Sequence, residues 1–154
     1  MIKVLFVCLG NICRSPMAKF MFKDMVKKQG LEEKFYIDSV ATCYDEIGND
    51  MHWGAKDKLD ENGIEYSLHK ARIITKEDYK NFDYIIAMEQ SNIRNIERFV
   101  GEDVDGKVYN LLDFSNKPRD IADPWYTGDF EAAYQDIKEG LIGFLDYLKR
   151  NNQI

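Results

Sequence analysis

The sequence predicts an α/β fold: one domain across residues 1–154, a central four-stranded parallel sheet, and helices on both faces. Three observations lead there. Segments such as Ile2 to Val7 and Asp83 to Met88 are almost continuously apolar, the pattern of strands covered on both sides. These runs alternate with stretches whose apolar residues recur every three or four positions, so strand and helix succeed one another along the whole chain. Finally, 154 residues at 45% hydrophobic content suffice for one core and are short for two, with a folded surface of about 8,000 Å² expected from size alone.

Taken in order, Ile2 to Val7 forms the first strand, which ends at Cys8, and CLGN turns the chain. Ser15-Pro16 opens the first helix, with Ser as cap and Pro in the first turn. Met17, Phe20, Met21 and Met25 make its core-facing stripe, and Lys27, Lys28 and Gly30 end it. Phe35 to Val40 reads as the second strand and Ala41 to Asp50 as irregular. A helix covers Trp53 to Glu61 and stops at Asn62-Gly63. Thr75, with Glu77 and Asp78 behind it, opens a short helical turn. Asp83 to Met88 is the third strand, followed by a helix through Ile93, Ile96 and Phe99. Val108 to Leu112 is a short last strand, and Asp113 to Gly128 a long loop. The final helix runs from Phe130 through Leu148 on one broad apolar stripe, with acids in its first turn and Lys149 and Arg150 in its last. In such sheets ligands bind beyond the carboxyl ends of strands, which directs attention to Cys8.

Charge and cysteine content narrow the function classes. Twenty-one basic residues against 27 acidic ones give a net charge of -6, which argues against nucleic-acid and anionic-membrane binding. The charge is uneven: residues 1–28 carry six Lys/Arg against one Asp. Three cysteines, Cys8, Cys13 and Cys43, with no CxxC and no Cys/His cluster, fit a reducing compartment and predict no metal site. The N-terminal apolar run has neither the tail of a secretion signal nor the length of a membrane span, so the expected location is the cytoplasm.

The string CLGNICRS places a thiol at a strand end, then five residues, an arginine and a hydroxyl at a helix start. Each part has a task if the ligand is a tetrahedral oxyanion. Leu9, Gly10, Asn11, Ile12 and Cys13 are enough chain to curl around three oxygens and aim successive N–H groups inward. The helix beginning near Ser15 points its free amides at the same spot. Arg14 supplies a planar fork that grips two oxygens, which a lysine could not do. Gly10 and Asn11 tolerate the backbone angles that a tight curl requires. The same surroundings favour the thiolate of Cys8, with Ser15 as a hydrogen-bond donor to it. Alone, Cys8 would read as a buried hydrophobe, Arg14 as a surface ion pair and Gly10 as a turn. Their joint order directly after the first strand points to a phosphate-binding loop.

VCLGNICRSPMA, ITKEDY, FDYIIAMEQSN and DPWYTGDF together resemble the low-molecular-weight protein tyrosine phosphatases over nearly the whole chain. The resemblance implies a cofactor-free phosphatase acting on phosphotyrosine proteins or peptides and on small aryl phosphates. It implies Cys8 as nucleophile, Arg14 as phosphate clamp, Asn11 as loop organiser, Ser15 as partner of the thiolate and Asp123 as general acid. Chemistry supports the last role, because a departing phenolate needs a proton and Pro124 stiffens the chain beside Asp123. His52 and His69, by contrast, stand in ordinary, solvent-like contexts. Trp125 and Tyr126 become walls for a flat ring, in a slot deep enough to exclude the shorter phosphoserine. Family members use the second thiol, here Cys13, as a reversible disulfide partner of the nucleophile; as a residue it reads equally as a small buried filler.

Two positions depart from the family pattern. Many members place an aromatic residue just before Glu-Ile-Gly, where this chain has Asp45 with Tyr44 one residue earlier. Either Tyr44 turns in, or the slot is more polar and open there. The aspartate that follows the third-strand methionine in the family is Glu89 here. The competing readings are a phosphoarginine phosphatase, an arsenate reductase, a phosphocysteine carrier and a non-catalytic phosphopeptide module. Ile12 in place of threonine, the lack of late resolving cysteines, Arg14, and the pair Cys8 and Asp123 disfavour them in turn. The expected assembly is a monomer or a weak homodimer.

Overall fold

The computed structural model describes residues 1–154, with 7802 Å² of accessible surface, close to the size expectation. Four parallel strands, β1 (Ile2–Cys8), β2 (Phe35–Ala41), β3 (Tyr84–Ala87) and β4 (Val108–Asn110), lie in the order β2-β1-β3-β4. Six α-helices connect and flank them: α1 (Arg14–Lys28), α2 (Trp53–Glu61), α3 (Lys76–Asn81), α4 (Gln90–Val100), α5 (Pro124–Thr127) and α6 (Phe130–Arg150). No helix is long and apolar enough to cross a membrane.

The continuous apolar run of β1 has the meaning expected of it. Val4, Phe6 and Cys8 face the larger core, under α1, α2 and α6, whereas Leu5 and Val7 face a second core under α3 and α4. This period of two decides where the thiol goes. Cys8 shares the parity of Val4 and Phe6, so its side chain points to the face that α1 covers. Phe6 and Phe22 meet edge to face at 5.9 Å in this core, both fully buried. Truncating either to Ala costs about 3–5 kcal/mol.

Several boundaries differ from the sequence expectation. The last strand stops at Asn110 because Leu111–Phe114 winds into a 3-10 turn. Helix α6 packs directly on that turn, and a Cβ added at Gly143 would lie 2.2 Å from the Phe114 carbonyl oxygen, so the close approach requires glycine. The expected long loop to Gly128 contains α5, a single turn with Asp123 as N-cap, Pro124 at its first position and Gly128 in the left-handed region at its end. Cap, proline and glycine are the signals of a helix as well as of a loop. Ser15 does not cap α1, which begins at Arg14 with no side-chain cap.

Between β1 and β3 the chain order reverses, which is the switch point where ligands bind in such sheets. The Cys8–Ser15 loop lies there.

Candidate active site

The loop is curled by one residue above all. Asn11 has φ +59°, in the left-handed region that Asn tolerates better than most side chains, and it is fully buried. Gly10 keeps a negative φ, so the strain expected of both residues falls on Asn11 alone. Its side-chain amide is engaged at both ends and its carbonyl is taken too. Its Nδ2 donates to Ser15 Oγ at 2.7 Å and to Ser39 Oγ at 3.0 Å, and its Oδ1 accepts from the Arg72 amide at 3.2 Å. Its backbone carbonyl accepts from His69 Nε2 at 2.6 Å, which fixes the proton of that imidazole on Nε2.

Ser15 Oγ lies 3.0 Å from Cys8 Sγ, and the Ser15 amide donates to the same sulfur at 3.4 Å. Because Ser15 Oγ already accepts from Asn11, its single proton is free to point at the sulfur. The alternative acceptor, the Val40 carbonyl, is farther away at 3.5 Å. Two donors therefore converge on the Cys8 sulfur.

Arg14 is 1% exposed, an uncommon state for a guanidinium. Its Nη1 donates to the Glu89 carboxylate and, at 2.8 Å, to the Ile121 carbonyl; its Nη2 donates to Asp123 Oδ2 at 3.1 Å. Burial opposes its charge, but the Cys8, Asp123 and Glu89 charges outweigh burial and raise its pKa. In Glu89 burial is likewise outweighed, by Ser91 and Arg14, and the pKa falls. Burying such a group rarely adds net stability, so its retention points to function. Its Nε is buried without a partner, a donor that an oxyanion would satisfy.

Cys8, Leu9, Gly10, Ile12, Cys13, Arg14, Cys43, Asp45, Glu46, Asp123, Trp125 and Tyr126 line one cleft of about 140 Å³. The structure thus brings together the loop, the expected acid and the expected aromatic wall. Trp125 and Tyr126 are exposed, and the cap geometry of α5 holds Asp123 Oδ1 on the Trp125 amide at 3.0 Å. Tyr44 does not join them. Its ring packs 6.0 Å from Phe99 on the far side of the bend, where an apolar partner exists, and Asp45 lines the cleft instead. Cys13 is buried, and that burial, reinforced by the Cys8 and Asp123 charges, pushes its thiol pKa upward. All three cysteines are free thiols. A larger groove of about 900 Å³, between α1, β2 and residues 63–67, contains no thiol and no buried cation.

Sequence reasoning missed several residues of this site. His69 is buried on the Asn11 carbonyl, contrary to the solvent-like setting expected of it. His52 is also engaged: its Nδ1 accepts from the Gly54 amide and caps α2, and its ring stacks on Phe130 at 5.0 Å. Ser39 and the Arg72 amide complete the support of Asn11. No spacing rule links residues 28 to 61 positions apart; the one available signal was Asn11 itself, since a buried left-handed Asn needs partners.

A family model described as low molecular weight phosphotyrosine protein phosphatase matches residues 3–154. The low molecular weight protein-tyrosine-phosphatase YfkJ of Bacillus subtilis is 41% identical, over 100% of both chains. The human low molecular weight phosphotyrosine protein phosphatase is 41% identical over 93% of each. The crystal structure of YfkJ superposes with a TM-score of 0.94, covering 98% of this chain and 96% of that one. A Drosophila arginine phosphatase shares the fold at a TM-score of 0.88 and 32% identity, covering 96% of this chain and 98% of that one.

Proposed function

This chain belongs to the low molecular weight phosphotyrosine protein phosphatase family, and from that premise we propose that it hydrolyses phosphotyrosine and other aryl phosphate monoesters with Cys8, Arg14 and Asp123. The observation that carries the assignment is the buried thiol with two converging donors, beside a guanidinium whose Nε lacks a partner.

The substrate phosphate enters the curl and takes the Arg14 fork, drawing Nη2 away from Asp123. The Cys8 sulfur attacks phosphorus in line; the S–P bond forms as the P–O bond to the aryl group breaks. Protonated Asp123 gives its proton to the leaving phenolate. Water then attacks the phosphocysteine and loses a proton to the Asp123 carboxylate, and the S–P bond breaks with the electrons returning to sulfur. Loop amides and Arg14 bear the charge that spreads over the equatorial oxygens. Ser15 steadies the thiolate at both ends of the cycle.

Trp125 and Tyr126 provide flat walls for the ring, and buried Ile12 suits an aryl ester better than the guanidino group of phosphoarginine. Substrates in this reading are phosphotyrosine proteins or peptides met in the cytoplasm, by a monomer or weak homodimer. The test is hydrolysis of p-nitrophenyl phosphate. Cys8→Ser lowers kcat about 10⁴-fold or more, and Asp123→Asn lowers it about 10²–10⁴-fold. Substantial turnover by C8S would overturn the mechanism.

A further inference from the structure

The mouth of the cleft is more acidic than its floor requires. Arg14 is the single basic residue that lines it, while Asp45, Glu46 and Asp123 all do. Asp123 is occupied by Arg14 and by the Trp125 amide. Asp45 is different: it is exposed, and its carboxylate makes no hydrogen bond or ion pair. Glu46 lies along the loop, its Cγ 3.5 Å from where a Cβ on Gly10 would sit, and only its Oε2 is engaged, by Asn49. So one lip carries two carboxylates with free acceptor capacity and no cation to answer them.

The other lip, formed by Trp125 and Tyr126, is aromatic and also favours positive charge. Trp125, 55% exposed, meets the His52 ring edge to face at 5.7 Å, and His52 lies 5.2 Å from Trp53, itself 69% exposed. His52 is anchored to the loop by its amide, which donates to the Ile12 carbonyl at 2.8 Å. Exposed indole faces attract ammonium and guanidinium groups and cover their aliphatic stems.

We propose that this rim makes the enzyme selective for phosphotyrosine flanked by Lys or Arg, with Asp45 as the main determinant. The proposal rests on the phosphatase reading above. Phosphotyrosine fixes the register: its phosphate sits on the loop, its ring passes between the walls, and the neighbouring side chains emerge at the rim. A basic neighbour gains the unpaired Asp45 carboxylate; an acidic neighbour meets two like charges there. The difference acts on capture of the peptide, in KM, because the rim does not touch the reacting atoms.

The experiment measures kcat/KM for phosphotyrosine peptides that differ only in Lys, Ala or Glu on either side of the phosphotyrosine. Wild type, Asp45→Asn, Asp45→Lys and Glu46→Gln are compared, each value divided by that enzyme's own kcat/KM for p-nitrophenyl phosphate. Wild type is expected to prefer Lys over Glu by about 5–10-fold, the range of one exposed attraction set against one repulsion. D45N shrinks the ratio to about 2–3-fold and D45K inverts it; E46Q has the smaller effect. In about 1 M salt, where screening acts within roughly 3 Å, the wild-type preference collapses. Equal values for the Lys and Glu peptides in wild type overturn the proposal, as does a preference that survives in D45K or in high salt. Hydrolysis of p-nitrophenyl phosphate with flat peptide values removes the rim selectivity alone. No hydrolysis of it by wild type removes the phosphatase reading, and this proposal with it.

Discussion

The Cys8–Ser15 loop and the Asp123–Gly128 turn line the same cleft, yet they are held in opposite ways. Asn11, Arg14 and Ser15 are buried, and their partners Ser39, His69, Arg72 and Glu89 come from three distant segments. Apart from the Arg14 contact to Asp123, the turn is held by itself: Asp123 bonds the Trp125 amide, Gly128 closes on Pro124, and the Asp129 amide bonds Thr127 Oγ1. Trp125 and Tyr126 are left exposed. The loop must present donors at fixed positions to a charge that changes during reaction, and preorganised donors need no rearrangement at that moment. The turn presents one acid and two rings to substrates of varied shape. Rigidity is concentrated where phosphate chemistry occurs.

Arg14 is the seam between the two regions, because its fork reaches Glu89 on the loop side and Ile121 and Asp123 on the turn side. Breaking it should produce the largest effect. Arg14→Lys keeps the charge but cannot serve both sides, and kcat on p-nitrophenyl phosphate should fall about 10²–10³-fold, the loss typical of one oxyanion donor. A loss of less than tenfold would mean that charge alone suffices and the fork is incidental.

A matched pair then separates loop from turn. Asn11→Ala leaves Ser39 Oγ and the Arg72 amide without their partners and removes a residue suited to positive φ. Stability should fall by about 3 kcal/mol, from orphaned groups, and kcat by about 10–100-fold through a displaced loop. Trp125→Ala removes a half-exposed ring with no long-range hydrogen bond, so stability should change by no more than about 0.5 kcal/mol. Its effect should appear as a few-fold rise in KM for aryl phosphates. If W125A destabilised the fold as much as N11A, the contrast between the regions would be false.

The same contrast explains what could be read from the chain. The apolar run from Ile2 to Val7, the CLGNICRS spacing and the Thr75 cap are local patterns, and the structure has the strand, the loop and α3 where they indicate. The turn after Asp123 was local too, but its cap, proline and glycine serve loops and short helices alike, and only the packing of neighbours separates them. His69 and Arg72 were illegible for a different reason. Their stretch, between α2 and α3, is nearly without regular structure, and a lone bridge from Ala41 to Ile73 sets its position against the sheet. Periodicity says nothing there. Whether Tyr44 turns in stayed open in the sequence because ring packing on Phe99, from α4, competes with the cleft for it.

The smallest expected effect isolates one support of the loop without emptying it. Burial lowers the pKa of His69 below the ordinary histidine value, against the opposing pull of the Asn11 carbonyl. The folded protein thus keeps this imidazole neutral at a pH where the unfolded chain, titrating near about 6.5, takes up a proton. The stability it contributes is fully present above that pH and is lost as pH falls from there toward the folded value. Carboxylates held low by their partners, Asp38 and Glu89, lose their contribution only at lower pH, once the unfolded carboxylates begin to protonate. Between about pH 7.5 and 5.5 the imidazole therefore dominates among these three. His69→Gln retains an N–H donor but cannot titrate. It should lower Tm at pH 7.5 yet flatten the fall toward pH 5.5, making the wild-type drop larger by about 2–4 °C, as expected for roughly 1 kcal/mol in a chain of this size. Parallel Tm curves for the two proteins would show that His69 holds the loop by shape alone, and that its hydrogen bond to Asn11 carries no proton linkage.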